Sequence, residues 1–152
     1  NKLGDVLRVQ GDLASAQQRY EACLRIREAL AARDPENAGW QRDLSVSFNG
    51  LAHVLEAQGD VAGAQRYLEE DLRIAKSLAA RDPENAGWQR DLAISWLKLG
   101  AIHEIHGDRA DTRGHWQRAQ EILENLVQRR PDNPQFRRNL ANLKQVLASL
   151  DS

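Results

Sequence analysis

A letter-for-letter internal repeat constrains the fold of this chain more than any other feature. The segment Leu30–Leu44, LAARDPENAGWQRDL, recurs unchanged at Leu78–Leu92. Three glycines and three prolines keep a period of 48 residues: Gly11, Gly59 and Gly107, and Pro35, Pro83 and Pro131. Self-similarity at a fixed period of this size is typical of an array of stacked structural units. We therefore expect a scaffold built from one unit.

Composition and charge indicate a helical protein and exclude some classes of partner. The 152 residues are 41% hydrophobic and 28% charged, and the net charge is −1. A balanced charge supplies no long-range field that would gather nucleic acid or anionic lipid. No apolar run approaches the roughly 20 residues that cross a bilayer. We therefore predict neither a nucleic-acid partner nor a membrane partner.

The ends of the chain and its cysteine usage suggest where the protein works. Cys23 is the single cysteine, so an internal disulfide is impossible and a reducing compartment is compatible with the sequence. No charged-then-apolar signal segment opens the chain. It begins at Asn1, inside a repeat and without a methionine. We expect a cytoplasmic piece of a longer protein.

Hydrophobic periodicity predicts about seven helices joined by short connections. A short first helix should end at Gly11, because glycine suits the left-handed turn that closes a helix. Asp12 is placed to cap a long second helix, which Pro35 stops after Arg33. Asn37 is placed to cap the next one. The remaining helices are expected at 37–59, 60–81, 85–106, 108–130 and 136–150. Short connections make sequential helices antiparallel neighbours.

A set of small, apolar and turn-forming residues recurs in each unit. The first unit has Leu3, Gly4, Gly11, Asp12, Ala16, Tyr20 and Cys23. The second has Phe48, Leu51, Ala52, Gly59, Asp60, Ala64 and Leu68, and the third has Trp96, Leu99, Gly100, Gly107, Asp108, Trp116 and Ala119. This pattern resembles the tetratricopeptide repeat. It departs from the family at Thr112 and Asp71, where small apolar residues are usual.

The resemblance covers the whole chain and implies an all-α fold, a right-handed superhelix of antiparallel helix pairs. Residues 1–152 would form a single array. Its units would be 1–36 with a truncated first helix, 37–84, 85–132, and a capping helix at 133–151. The usual family period is about 34 residues, so each helix here would be about two turns longer. The chain is similar to bacterial arrays with a repeat of this length, which accompany signalling or effector domains.

The resemblance also implies where a partner would bind. In such an array the first helix of each unit lines a concave groove, which accepts an extended peptide or a helix of another protein. The outward positions expected to contact the partner are Asp5, Arg8, Asn49, His53, Glu56, Leu97, Lys98, Ala101, Glu104 and Ile105. The plain alternative is that these are ordinary solvated helix positions. We predict a protein-interaction scaffold without a cofactor.

The sequence offers little support for catalysis. His103 and His106 lie three residues apart with Glu104, Asp108 and His115 nearby, so a metal-binding enzyme domain is one rival interpretation. His103 occupies the position of Leu55 one unit earlier, which favours a packed substitute over a ligand. No second pair has the spacing of a zinc site, and no phosphate-binding loop or nucleophile motif is present. We therefore predict no enzyme activity and no metal site.

Cys23 and the repeated tryptophans have structural interpretations. Cys23 aligns with Asp71 and Ala119 and is expected in a buried small-residue slot, where a thiol is unreactive. Trp40 and Trp88 begin their helices and are expected to pack on the added turns of the neighbouring long helices. Both interpretations place these residues in the core.

The two ends of the array differ in their apolar character. Much of the helix that begins at Leu13 lacks a covering partner, and an exposed apolar stripe favours association. Lys144 stands where Phe48 and Trp96 stand in the earlier units, so the C-terminal end should be closed. We therefore predict a homo-oligomer formed through the N-terminal end. A self-assembling structural spacer is the second rival interpretation.

Overall fold

The computed structural model describes residues 2–151, and the burial of Gly4 and the side chain of Arg8 lie outside the described part. Within residues 2–151 the chain forms six α-helices and no strand. They are α1 (Lys2–Arg33), α2 (Ala38–Ala57), α3 (Val61–Arg81), α4 (Ala86–Ile105), α5 (Arg109–Arg129) and α6 (Pro134–Ser149). The predicted all-α fold is confirmed.

Asparagine caps set the starting points of α2, α4 and α6. The side chain of Asn37 accepts the backbone N–H of Trp40 at 3.0 Å, and that of Asn85 accepts the N–H of Trp88 at 3.0 Å. Asn133 caps α6 in the same way. Each cap satisfies a backbone donor that would otherwise have no partner in the first turn. The predicted cap at Asn37 is confirmed, and the same chemistry starts α4 and α6.

Two glycines close helices with the left-handed geometry that the sequence predicts. Gly59 has a φ of 86° and Gly107 a φ of 77°. The backbone N–H of Asp60 reaches Leu55 O at 2.8 Å, and that of Asp108 reaches His103 O at 2.9 Å. These bonds satisfy carbonyls near the ends of α2 and α4. After these turns, α3 and α5 begin within a few residues of the ends of α2 and α4.

The prediction of a turn at Gly11 is wrong. Helix α1 runs without a break from Lys2 to Arg33, and no positive φ is recorded at Gly11. The predicted first helix would hold only about ten residues, and isolated helices of that length are marginal in water. Extending an existing helix by one residue at a time avoids a second nucleation step. The chain therefore has six described helices where about seven were expected.

The first compact unit, Asn1–Ile74, is held together by α1, α2 and most of α3. Arg27 on α1 donates to Ser47 Oγ at 2.7 Å and to Asp43 O at 3.0 Å on α2. Phe48 on α2 stacks on Tyr67 on α3 with ring centroids 5.8 Å apart. Helix α2 is thus packed on both sides.

A buried polar pair joins α2 to α3 in this unit. Asp71 is 2% exposed, and its Oδ1 accepts a hydrogen bond from Ser45 Oγ. Burying a carboxylate is costly unless it is hydrogen-bonded, so Ser45 accounts for an acidic residue at a small-residue position. One period later both members are alanine, Ala93 and Ala119, and both are fully buried.

The prediction that Cys23 is buried is wrong. Cys23 is exposed, although its register equivalents Asp71 and Ala119 are buried. Those two positions are covered by the helix that precedes them in the chain, as Ser45 shows for Asp71. Helix α1 is preceded by no other helix among residues 2–151, so its equivalent face remains open.

The second compact unit, Ala75–Ser152, contains α4, α5, α6 and the end of α3. Helix α5 packs between α4 and α6. Trp116 on α5 is 5% exposed and donates its indole N–H to Leu97 O on α4 at 3.0 Å. A Cβ added to Gly100 would overlap that indole, so glycine permits the close approach of the two helices.

The aromatic residues that begin α2, α4 and α6 differ in burial. Trp40 and Trp88 are both half-buried, and Phe136 is 5% exposed. Their predicted contacts with the added turns remain a prediction.

Among residues 2–151, no helix combines the length and the apolar character that crossing a bilayer requires.

Candidate functional site

The outward side of α4 presents a mixed surface in the second unit. Lys98, Ala101, Glu104 and Ile105 are exposed, and Leu97 is half-buried. These positions are three or four residues apart, so they share one face of the helix. Ile105 is 60% exposed, which leaves a large aliphatic side chain in solvent beside charged neighbours. The structure thus brings together the five residues that the sequence assigns to α4.

The outward side of α2 is the equivalent surface in the first unit. His53 and Glu56 are exposed, and Asn49 is half-buried with its side-chain amide donating to Ser45 O at 3.1 Å. Val46 is 56% exposed on the same helix. This face is more polar than that of α4. The amide of Asn49 already has a backbone partner, so His53 and Glu56 are the more available groups.

Asp5 and Arg8 were expected on a separate short helix that would pair with the next one. Asp5 is instead exposed in the N-terminal part of the continuous helix α1, and the side chain of Arg8 lies outside the described residues. Because α1 does not turn at Gly11, these positions are not folded back along the helix. The prediction that they lie on a separate first helix is therefore wrong.

A cluster of ionisable side chains lies where α4 ends and α5 begins. His103 Nδ1 is 3.9 Å from Asp111 Oδ2, and His103 is mostly buried while Asp111 is exposed. One ligand-type atom from each of His103, Asp108 and Asp111 lies within 4.8 Å of the others. The His115 ring meets the His103 ring in a T-shaped contact with centroids 4.9 Å apart. Of the three predicted histidines, His103 and His115 are brought together, whereas His106 is not part of the cluster.

The carboxyl groups of the cluster perturb one another. A hydrogen bond from the Asp111 carboxyl, with a second from its backbone N–H, lowers the pKa of Asp108. The shared hydrogen bond and the charge of Asp108 raise the pKa of Asp111. Burial lowers the pKa of His115, and the neighbouring His103 acts in the same direction. Two carboxylates and two imidazoles thus occupy one small region of the surface.

The aromatic ring of Trp96 packs against the His115 ring of this cluster. The Trp96 ring lies 5.1 Å from that of His115, and Lys76 Nζ and Arg118 Cζ lie 4.7 Å and 4.9 Å from its centroid. Cations over an indole face are attracted by its electron density. The equivalent contact one period earlier is the stack of Phe48 on Tyr67. A pair of phenylalanine and tyrosine in the first unit is therefore replaced by a pair of tryptophan and histidine.

An open hollow of about 580 Å³ runs along α1 in the first unit. It is lined by Asp12, Ser15, Ala16, Arg19, Tyr20 and Cys23. One period later, Ser15, Arg19 and Cys23 correspond to Gly63, Tyr67 and Asp71. Two of those, Tyr67 and Asp71, contact α2. The hollow is therefore the surface of α1 that matches the α2-facing surface of α3.

Sequence reasoning missed Asp111 and the hydrogen-bonded pair of Ser45 and Asp71. Aligning the units by their 48-residue period would have found both. Ser45 and Asp71 become Ala93 and Ala119 together, which suggests a contact. Gly63 becomes Asp111 one unit later, where Leu55 becomes His103. Paired changes between copies are thus the signal that identifies these contacts.

Comparisons with known families agree with the repeat architecture. A family model described as tetratricopeptide repeat matches residues 1–36 and 45–83. A second model with the same description matches residues 106–143. A comparison with curated proteins found no match. The matched ranges cover parts of both compact units.

Proposed function

Because the chain belongs to the tetratricopeptide repeat family, we propose that it binds a peptide or a helix of another protein through the outward face of α4, with the outward face of α2 as a separate candidate surface. Tetratricopeptide repeats generally mediate protein–protein interactions. The proposal does not require a cofactor. The single observation that carries it is the mixed, solvent-facing surface of α4.

The chemistry of the α4 face suits an amphipathic ligand. Ile105 and the half-buried Leu97 offer apolar contact, while Lys98 and Glu104 are exposed charges of opposite sign. An apolar anchor gains binding energy by leaving water, and flanking charges select the orientation of the ligand. A peptide with one aliphatic or aromatic anchor flanked by acidic and basic residues fits this surface.

Selection from a random peptide library tests the proposal. Peptides selected against the wild-type chain are synthesised, and their affinity is measured by fluorescence polarisation. The triple variant Lys98→Ala/Glu104→Ala/Ile105→Ala should weaken binding tenfold or more, about 1.4 kcal/mol or above. Far-UV circular dichroism checks that the variant keeps its helical content.

A matched triple on other helices provides the control. Lys144→Ala/Glu121→Ala/Val146→Ala removes the same three chemical types from exposed positions of α5 and α6. It should leave the affinity unchanged. Equal weakening by both triples, or the absence of any selectable peptide, would argue against the α4 face. The variant His53→Ala/Glu56→Ala tests the α2 face separately.

A second function is favoured by the uncovered side of α1. The first buried residue on α1 among those described is Leu24, whereas Leu3, Val6 and Leu7 are between 51% and 66% exposed. The matching surface of α3 is occupied by α2. We propose that a second copy of the chain covers this side of α1, so that the protein forms a homodimer.

The hollow on α1 is complementary to itself in charge. Asp12 and Arg19 are seven residues apart on one helix face, with the small residues Ser15 and Ala16 between them. An antiparallel pair of α1 helices centred on Ser15 and Ala16 sets Asp12 of one copy opposite Arg19 of the other. Small residues at the centre allow two helices to approach closely. A two-fold interface of this kind is closed and limits assembly to a dimer.

Charge reversal at these positions tests the dimer. Sedimentation velocity over a range of concentrations should show a dimer for the wild-type chain and mostly monomer for Arg19→Asp. The double variant Asp12→Arg/Arg19→Asp should restore the dimer, because it restores opposite charges across the two-fold axis. Arg137→Asp makes the same charge change on α6 and should have no effect. A wild-type chain that stays monomeric, or a double variant that fails to recover, would exclude this interface.

A further inference from the structure

We propose that His103, Asp108 and Asp111 form a binding site for a divalent transition-metal ion at the junction of α4 and α5. The three residues come from two helices and the turn between them, and one potential ligand atom of each lies within 4.8 Å of the others. The site lies in the second unit alone. The proposal of a metal site does not depend on the proposed binding of a protein partner.

The ligand set favours a transition metal over calcium or magnesium. An imidazole nitrogen suits Zn²⁺, Co²⁺ and other borderline ions, whereas Ca²⁺ and Mg²⁺ prefer sites made of oxygen alone. Two carboxylates provide the negative charge that offsets the charge of the ion. Three protein ligands leave further coordination positions open to water.

Small side-chain rotations bring the atoms to bonding distance. Ligand atoms that each lie about 2.1 Å from one ion are about 3.4 Å apart in a tetrahedral site. His103 Nδ1 and Asp111 Oδ2 are 3.9 Å apart, and all three atoms lie within 4.8 Å of one another. The side chain of Asp111 is 59% exposed, so its carboxylate can exchange the hydrogen bond with Asp108 for a bond to the ion. The atoms must approach one another by about 1 Å.

Packing against neighbouring rings restricts the rotation of the His103 side chain. The side chain of His103 is only 17% exposed. His115, one turn after Asp111 on α5, contacts the His103 ring edge-on. His115 in turn packs against the buried ring of Trp96. A ring with restricted rotation loses little entropy when it binds an ion.

The preceding sequence repeat, residues 37–84, provides an internal comparison. One period earlier, His103, Asp111 and His115 correspond to Leu55, Gly63 and Tyr67, which offer no such set of ligands. A Cβ added at Gly63 would meet the carboxylate of Asp60, the counterpart of Asp108. A side chain at this position is thus directed at that carboxylate. The repeat at residues 85–132 therefore combines two acidic residues with a histidine at one turn.

Metal titration of the full chain tests the site. Co²⁺ binding is followed by visible absorption and Zn²⁺ binding by calorimetry, with thermal unfolding as a second readout. The wild-type chain should bind one equivalent and unfold at a higher temperature with Zn²⁺. The variant His103→Leu/Asp111→Gly restores the residues of the preceding unit, which that unit accommodates in the same turn. It should bind at least tenfold more weakly and show no thermal shift.

A second variant separates the site from general histidine binding. His53→Ala/His106→Ala removes the two histidines outside the cluster and should bind Co²⁺ and Zn²⁺ as the wild-type chain does. The proposal is overturned if the wild-type chain binds neither ion. It is also overturned if His103→Leu/Asp111→Gly retains full affinity, or if His53→Ala/His106→Ala loses it.

Discussion

The buried contact between Ser45 and Asp71 is the clearest residue-scale feature that distinguishes the two units. Asp71 is 2% exposed and accepts a hydrogen bond from Ser45. Removing one partner of a buried polar pair leaves the other without its hydrogen bond, which costs about 1–3 kcal/mol. Replacing both by apolar groups of suitable shape can be nearly neutral. The chain itself uses Ala93 and Ala119 at the matching positions.

We therefore expect strong coupling between the two positions. Ser45→Ala should lower the free energy of unfolding by about 1–3 kcal/mol. The double variant Ser45→Ala/Asp71→Ala should be more stable than Ser45→Ala, because it also removes the buried carboxylate that has lost the Ser45 hydrogen bond. Urea unfolding of the wild type, both single variants and the double variant gives the coupling energy. Additive effects would mean that the two side chains do not interact.

Local chemistry was predictable at this scale, whereas burial was not. The cap at Asn37 follows from its type and its place before a helix, and it is present. Cys23 and Asp71 occupy the same register position, yet one is exposed and the other buried. The difference lies in whether a preceding helix covers them. That fact is not local to either residue.

At the scale of the helix, the same Gly-Asp dipeptide takes two conformations. At Gly59 and Gly107 it ends a helix with positive φ, and at Gly11 it lies inside α1. The sequence predicts a turn at all three because glycine followed by a capping aspartate is a strong local signal. A turn forms where it pairs two helices of about 20 residues. Before Gly11, Leu3, Val6 and Leu7 are exposed and no such pair of helices forms.

Alanine substitution distinguishes these conformations. Gly11→Ala should increase the helical signal in far-UV circular dichroism and should not reduce stability, because alanine is favoured over glycine within a helix by about 1 kcal/mol. A Cβ at Gly11 meets no atom within 4 Å. Gly59→Ala and Gly107→Ala should each lower the free energy of unfolding by about 1 kcal/mol or more, because the left-handed region strains a residue with a Cβ. A loss at Gly11 equal to that at Gly59 would indicate a turn there.

For the whole molecule, periodicity was sufficient to predict an all-α repeat protein, and the small and turn-forming residues that recur in each repeat carried the resemblance to its family. The 48-residue period and the conserved spacing of turns determined helix ends to within about two residues from α2 onward. The resemblance indicated the outward positions of α4, of which four are exposed and Leu97 is half-buried. The hollow on α1 and the cluster around His103 depend on which neighbours are present in three dimensions. The 48-residue register marks His103 and Asp111 as a paired change between repeats, and the structure shows that they lie together while His106 lies outside the cluster.

The central claim is that the outward face of α4 binds a protein partner, and backbone amide chemical shifts test it most directly. A peptide selected from the library is titrated into the isotopically labelled chain. The account predicts that the largest shift changes occur at Leu97, Lys98, Ala101, Glu104 and Ile105. Changes confined to the exposed surfaces of α5 and α6, with the α4 amides unmoved, would contradict it.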